Sequence, residues 1–342
     1  MPQLHILRRI VPEIDELIER RYTVLQNVFF LQPVGRRALA GKLSWPERMV
    51  RKEIEFLREA GYLHSAPGGM EVSQAGQRML SGLHSIIRSI HGLSDLEQAL
   101  AHRLNLQHVV VVAGDADRDD TVKKEIARAT AKFLNETLRN EDILAVTGGT
   151  TLAEVANHLP MNQGGRDLLV VPARGGLGED VDIQANTIAA RISQRLGGSY
   201  RLLHVSDDLC EEAMASIASD PKIKQVIKLI RSARIVLHGI GSAEDMARRR
   251  GLPPEQIEGL HKKAAVGETL GYYFNPKGEI VYTTSSVGLC LDDLRKTEVV
   301  IAVGGGHSKA EAALAVLSTH LQHVYITDEG AARAMLDKLG SA

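Results

Sequence analysis

From residue 108 onward the sequence repeats one unit. A short run of Val, Ile and Leu is followed by a turn and then by an amphipathic helix, and several of the turns are rich in glycine. The apolar runs fall at 108–112, 143–147, 168–172, 201–205, 235–239, 299–303 and 323–327. Between the first two, Val122, Ile126, Ala129 and Phe133 mark one face of a helix. Strands that are apolar almost throughout cannot keep one face in water. They belong in a parallel sheet covered by helices on both sides, which restricts this part of the chain to a doubly wound α/β domain. Ligands of such sheets bind beyond the carboxyl ends of the strands, so the turns there are where binding residues are sought.

Three turns stand out. The first, Thr147-Gly148-Gly149-Thr150-Thr151, follows a strand and opens a helix. Glycines let the backbone approach an anion, and hydroxyls and helix-start amides can bond phosphate oxygens. The turn lacks the lysine of a nucleotide P-loop and is not a dinucleotide fingerprint either. The second is 172–180, Pro-Ala-Arg-Gly-Gly-Leu-Gly-Glu-Asp, in which Arg174 can grip a phosphate in bidentate fashion. The third, Gly304-Gly305-Gly306-His307-Ser308-Lys309, offers Gly305, Ser308 and Lys309 to a second phosphate. Three such turns in one sheet point to a sugar-phosphate site.

Other residues leave two readings open. Gln184 and Glu268 can bond sugar hydroxyls or be plain surface polar groups. Arg248, Arg249 and Arg250 form a solvated helix end or reach a phosphate. His238 and His307 suit general acid–base work but equally a structural role. Residues 327–332, Thr-Asp-Glu-Gly-Ala-Ala, read as a helix start with acidic capping.

The first ninety residues have a different texture. A helical stretch at 5–31 carries Leu17, Val24, Leu25, Val28 and Leu31 at spacings of three and four where it is most regular. A second helix at 34–43 puts Leu39 and Leu43 inward and Arg36, Arg37 and Lys42 outward. Ser44 with Glu47 three residues later predicts a capping box. The helix it opens buries Val50, Ile54 and Leu57 and exposes Arg48, Arg51, Lys52 and Glu55. Gly61 ends it, and two short strands flank a turn at Pro67-Gly68-Gly69. This is the order of a winged helix-turn-helix. A helix fits the DNA major groove, and Arg can pair with guanine. The expected DNA-binding set is Arg36, Arg37, Lys42, Ser44, Glu47, Arg48, Arg51 and Lys52. The bland alternative is a basic three-helix bundle used for protein contacts, and Trp45 packs or stacks on a base.

Charge supports the division. Residues 1–90 hold 13 Lys and Arg against 9 Asp and Glu, while the remainder carries 28 against 33. A basic end on an acidic body fits a nucleic-acid module on a larger domain. The expected domains are 1–90, a DNA-binding head with a linker helix, and 91–342, an effector-binding and oligomerisation body, with helix at 76–106 bridging them. Two cysteines, Cys210 and Cys290, exclude a disulfide scaffold, and no zinc spacing is present, so neither metal nor cofactor is expected. No signal-peptide pattern and no apolar run of about 18 residues occur, which leads to the expectation of a cytoplasmic protein without a membrane segment.

The motifs TGGTT at 147–151, PARGGLGED at 172–180, QANT at 184–187, HGIG at 238–241, GYYFN at 271–275, GGGHSKAEA at 304–312 and TDEGAA at 327–332, with PVGRRALA at 33–40, resemble the SorC family of bacterial sugar-responsive regulators. The resemblance runs end to end. It implies a winged-helix head and a non-catalytic effector domain like sugar-phosphate isomerases and deaminases. It also implies oligomers, up to tetramers on operator DNA, that repress glycolytic operons. The implied effector is a phosphorylated sugar, first fructose-1,6-bisphosphate, with other phospho-sugars and triose phosphates as the lesser alternatives. By resemblance Gly148, Gly149, Thr150 and Thr151 would hold one phosphate together with Lys309. Arg174, Arg249 and Arg250 would meet the other end, and Gln184 and Glu268 the sugar. The rival reading is a working isomerase or deaminase with a regulatory head. It would need a base among Glu179, Asp180, Glu268 and His238.

Overall fold

The computed structural model describes residues 9–162, 165–176, 180–206, 216–217 and 219–340. Glu179, with the neighbouring Leu177 and Gly178, and Cys210 lie outside the described residues. The chain divides into two compact units, Met1–Ser94 and Asp95–Ala342.

The first unit has helices Ile14–Leu31, Arg36–Leu43 and Glu47–Glu59, the hairpin strands β1 (Leu63–Ala66) and β2 (Gly69–Val72), and helix Gln74–Ile90. β1 and β2 pair antiparallel, and Val34 bridges to Met70 beside them. Val24, Leu25, Val28, Leu39, Val50, Ile54 and Leu57 form the interior as their spacing predicts. The expected capping box does not form. Ser44 takes the left-handed conformation (φ 52°) and closes the preceding helix, its N–H directed at Ala40 O and Gly41 O. Pro46 instead begins the next helix and has no side-chain cap to give. Glu47 pairs with Arg36. Glu53, on the inner face, is buried against Arg20 and Arg21. The stretch at 76–106 is helical as expected, in two helices: Gln74–Ile90 is followed by a turn at His91–Gly92, where Gly92 takes positive φ, and a second helix runs Leu93–Leu104.

The second unit is built on a seven-stranded parallel sheet of β3 (His108–Val112), β4 (Asp142–Val146), β5 (Leu168–Pro172), β6 (Ser199–Tyr200), β7 (Ile235–Gly239), β12 (Val299–Val303) and β13 (Val324–Asp328). Its order is β3-β13-β12-β7-β4-β5-β6. The pleat sends alternate residues to opposite faces. Leu144, Val146, Ile235, Leu237, Ile301 and Val303 join the core under helices Asp120–Thr137, Thr150–His158 and Ala185–Leu196. Ala145, Val236 and Val300 face the second core with Ile230, Leu270, Val287 and Leu294.

Six of the seven predicted strands lie in place, two of them shifted by one residue. The run at 201–205 does not. Pairing with β5 stops after Tyr200 because Asn186 takes over the backbone, bonding both the N–H and the carbonyl of Leu203 at 3.0 Å. Between β7 and β12 the chain makes a small antiparallel sheet that the pattern does not announce: β8 (Gly241–Ser242), β9 (Gly267–Thr269), β10 (Tyr272–Phe274) and β11 (Ile280–Thr283). Among the described residues no helix is long and apolar enough to cross a membrane.

Candidate functional site

After β4 the chain goes outward to β5 and β6, and β7 returns to the other side of β4. This is where strand order reverses, the usual place for a ligand crevice. A pocket of about 180 Å3 lies there. It has room for on the order of a dozen waters, enough for a small phosphorylated polyol. Gly148, Gly149, Thr150, Thr151, Arg174, Gln184, Arg249, Arg250, Glu268 and Lys309 all line it. Residues distant in sequence meet because the turns after β4, β5 and β12 open at this end of the sheet, where β9 and the end of helix Ala243–Arg249 close over them.

Each contributor is held by identifiable local structure. Gly149 precedes helix Thr150–His158 with φ 129° and ψ 156°, a conformation only glycine adopts readily, and donates no side-chain cap. A Cβ on Gly148 would lie 2.7 Å from Ile183 O, so the turn packs directly on the segment that carries Gln184. The first-turn amides of Thr150 and Thr151 have no partner within the helix and point to where an anion is stabilised. Arg250 and Glu268 form an ion pair, Nη2 to Oε1 2.9 Å, with side chains 6% and 5% exposed. Lys309 is half-buried. Burial, and then the charge of Lys123, holds its pKa below the ordinary value; Arg249 acts in the same direction and Asp117 and Asp245 against it. A bound phosphate would relieve this crowding of cations.

Some predicted residues are placed otherwise. Arg174 lines the pocket, yet its guanidinium is buried, with Nε on Ser286 Oγ (2.9 Å) and Nη2 on Thr284 Oγ1 (3.3 Å). It ties the second turn to the 284–288 segment. Gly305 and Ser308 do not line the pocket, unlike their neighbour Lys309. Arg248 separates from the two arginines after it and pairs outside with Glu244. Residues not singled out also line the pocket, among them Ile183, Ser242, Asp245 and Met246. The Ser-x-x-Asp spacing of Ser242 and Asp245 was a usable signal. Ser242 Oγ caps the Asp245 N–H and starts the helix Ala243–Arg249 that ends at the pocket arginines.

Of the candidate bases, Glu179 lies outside the described residues, and the other three have partners. His238 is fully buried on Thr269 Oγ1 (2.8 Å), and burial pushes its pKa down to about 4. Glu268 is tied to Arg250, and Asp180 accepts the Asp182 N–H. His307 is exposed, its N–H on Asp115. Among the described residues no group of three His, Cys, Asp or Glu is arranged to hold a metal.

In the first unit Arg36, Arg37, Lys42, Ser44, Glu47, Arg48, Arg51 and Lys52 are all exposed. Glu47 sits 3.1 Å from Arg36 and 3.9 Å from Arg37, and Arg51 Nε bonds Glu55 at 2.7 Å. The basic surface therefore carries its own counter-charges.

Residues 17–87 match the CggR N-terminal DNA binding domain family, and residues 88–337 match the Sugar-bind family of sugar-binding domains. The chain belongs to the SorC family of transcriptional regulators. A Central glycolytic genes regulator of Priestia megaterium is 43% identical over 334 residues, covering 97% of this chain and 98% of the relative. Its namesake in Bacillus subtilis is 41% identical, covering 96% and 97%. A SorC-family regulator of Enterococcus faecalis has a solved structure that is 38% identical, with a TM-score of 0.67, covering 71% of this chain and 99% of that one. As a SorC-family member with a DNA-binding head, the chain is a sugar-responsive transcriptional regulator and not an enzyme.

Proposed function

We propose that this regulator represses glycolytic operons and that a sugar carrying two phosphates, fructose-1,6-bisphosphate, relieves the repression. The observation that carries the reading is one pocket in which a helix start meets basic side chains from the turns after β5 and β12 and from the end of helix Ala243–Arg249. A bisphosphate has two charged ends and a polar middle. The Thr150–Thr151 helix start and Lys309 suit one phosphate and Arg249 with Arg250 the other, while Gln184 and Glu268 suit the hydroxyls. Arg174 contributes a wall fixed by Ser286 and Thr284.

On the DNA side, Arg48, Arg51 and Lys52 of the 47–59 helix enter the major groove, and Arg36, Arg37 and Lys42 reach phosphates. Ser44 shapes the turn between the two helices and Glu47 orients Arg36. The regulator works in the cytoplasm as a homo-oligomer whose paired heads match paired half-sites, as a dimer or a tetramer. The bisphosphate acts by binding one arrangement of the oligomer more tightly than the other, which is the only way a ligand shifts such an equilibrium.

The test is fluorescence anisotropy of a labelled fragment from the regulator's own promoter, titrated with fructose-1,6-bisphosphate at fixed salt, since DNA affinity depends steeply on salt. Release or remodelling by the bisphosphate, and none by fructose 6-phosphate, is the expected result. A complex that forms but ignores every sugar phosphate would remove the effector assignment and leave the DNA-binding one.

A further inference from the structure

Three consecutive backbone amides of the third glycine turn end on three carboxylates. The N–H of Gly306 donates to Asp328 Oδ2 at 2.7 Å, that of His307 to Asp115 Oδ1 at 3.2 Å, and that of Ser308 to Asp117 Oδ2 at 2.7 Å. Ser308 Oγ adds a bond to Asp117 Oδ1 at 3.1 Å. Successive amides of this kind make a seat for an anion. Here the protein's own side chains occupy it, so a phosphate does not need these amides and finds them taken.

The three carboxylates differ in role. Asp328 is wholly buried and also accepts the N–H groups of Ala116 and Ala331, both at 2.8 Å, so it belongs to the scaffold. Asp115 accepts the N–H of Asp117 at 3.0 Å and fixes the opposite loop. Asp117 is exposed and clasps the turn from outside. The fit is close: Gly306 has φ 100°, and a Cβ there would lie 2.4 Å from Asp117 Oδ1. Lys309 comes next in the chain. Its N–H closes the turn on Gly306 O at 3.0 Å, and its side chain passes into the pocket. Around that ammonium Lys123 and Arg249 are the repelling charges, and Asp117 and Asp245 the attracting ones.

We propose that Asp117 is a positioning residue that aims Lys309 into the pocket and acts there as a built-in competitor, setting the phosphate concentration at which this end of the site fills. The proposal rests on the reading of the pocket as a phosphate site. Its physical basis is that the potential felt by an incoming anion sums Lys309 and Asp117. A doubly charged phosphate feels that sum twice, a singly charged carboxylate once. Neutralising Asp117 therefore strengthens binding of both and of phosphate more.

The experiment is calorimetric titration of the full chain with inorganic phosphate, with acetate and with fructose-1,6-bisphosphate, for the wild type, Asp117→Asn, Asp117→Ala and Lys309→Met. Asparagine can still accept the Ser308 N–H, so Asp117→Asn keeps the turn and removes the charge. At low salt it is expected to bind phosphate roughly threefold to fivefold more tightly, the scale of an exposed charge pair, with a smaller gain for acetate. The gain shrinks as salt is added, because the interaction is screened. A merely structural residue would show no such salt dependence. Asp117→Ala, which loses the clasp, is expected to bind phosphate more weakly than Asp117→Asn. Phosphate affinity in Asp117→Asn equal to or below the wild type at low salt would overturn the proposal. If the wild type binds the bisphosphate and Lys309→Met does not, that overturning concerns Asp117 only. If the wild type binds no phosphate, or Lys309→Met binds as well as wild type, the pocket reading falls and takes the proposal with it.

Discussion

Arg250 and Glu268 face each other inside the pocket, Nη2 2.9 Å from Oε1, with almost no solvent on either side chain. Glu268 Oε1 also accepts the N–H of Gly271, so one carboxylate both neutralises a pocket arginine and anchors the bend between β9 and β10. Removing one partner of a buried pair leaves an uncompensated charge, a loss of about 3–5 kcal/mol. Glu268→Ala is therefore expected to lower the melting temperature of the free protein markedly. A bound phosphate can supply the missing negative charge, so inorganic phosphate, which needs no bond from Glu268 to a sugar hydroxyl, should raise the melting temperature of the variant more than that of the wild type. A ligand-induced rise no larger in the variant would mean that Arg250 does not face the ligand.

Gly149 holds φ 129° and ψ 156° at the start of helix Thr150–His158. Any side chain there costs about 1–3 kcal/mol of backbone strain. The strain is relieved by rotating the first helical turn, which carries the amides of Thr150 and Thr151. Gly149→Ala is expected to fold, to bind promoter DNA as the wild type does, and to lose the response to bisphosphate. Promoter binding titrated with bisphosphate separates these effects. An intact response would show that this helix start takes no part in binding.

Most of this architecture is legible in the chain because the large sheet is so apolar that only one arrangement buries it. Runs such as 235–239 and 299–303 have no alternative partner for either face. The pocket is legible for the same reason: glycine turns after such strands gather at one edge. What failed to show has a local cause in each case. The small sheet has strands of two to four residues, too short for a period to register. Ser44 obeys the capping-box spacing, but Pro46 supplies the extended entry and leaves Ser44 to end the previous helix. Gly305 and Ser308 read as phosphate binders because their turn has the right composition. The carboxylates that fill the turn lie elsewhere, Asp117 191 residues away, and no local pattern announces them.

Arg51 lies on the exposed face of the 47–59 helix and is bonded by Glu55 one turn on, at 2.7 Å. That hydrogen bond holds the Glu55 carboxyl below its usual range. A base or phosphate contact by Arg51 has to replace this bond. Arg51→Ala is expected to weaken promoter binding by about 1–3 kcal/mol, the usual cost of a lost base contact. Glu55→Gln should act in the opposite direction, by a few-fold at most, since water screens an exposed pair. Anisotropy titrations at one salt concentration check both signs. Unchanged affinity in Arg51→Ala would move the reading surface to another face of the head.

His238 gives the clearest dependence on pH. It is fully buried at the end of β7, and burial pushes its pKa from 6.5 down to about 4. The unfolded chain, with an ordinary imidazole, binds the extra proton more readily between those values. Stability contributed by this site is therefore complete above about pH 6.5 and is lost as pH falls toward 4. The most it can remove is about 3 kcal/mol, since each tenfold loss of proton affinity on folding is worth about 1.4 kcal/mol. Denaturant midpoints measured from pH 8 to pH 4 are expected to fall along this window. In His238→Gln, which carries no titrating ring, the fall should be shallower. Because the imidazole stays neutral near pH 7, the bisphosphate response should show no step near pH 6.5 that His238→Gln abolishes. Such a step would place a proton on His238 in the liganded state and return it to the list of acid–base groups.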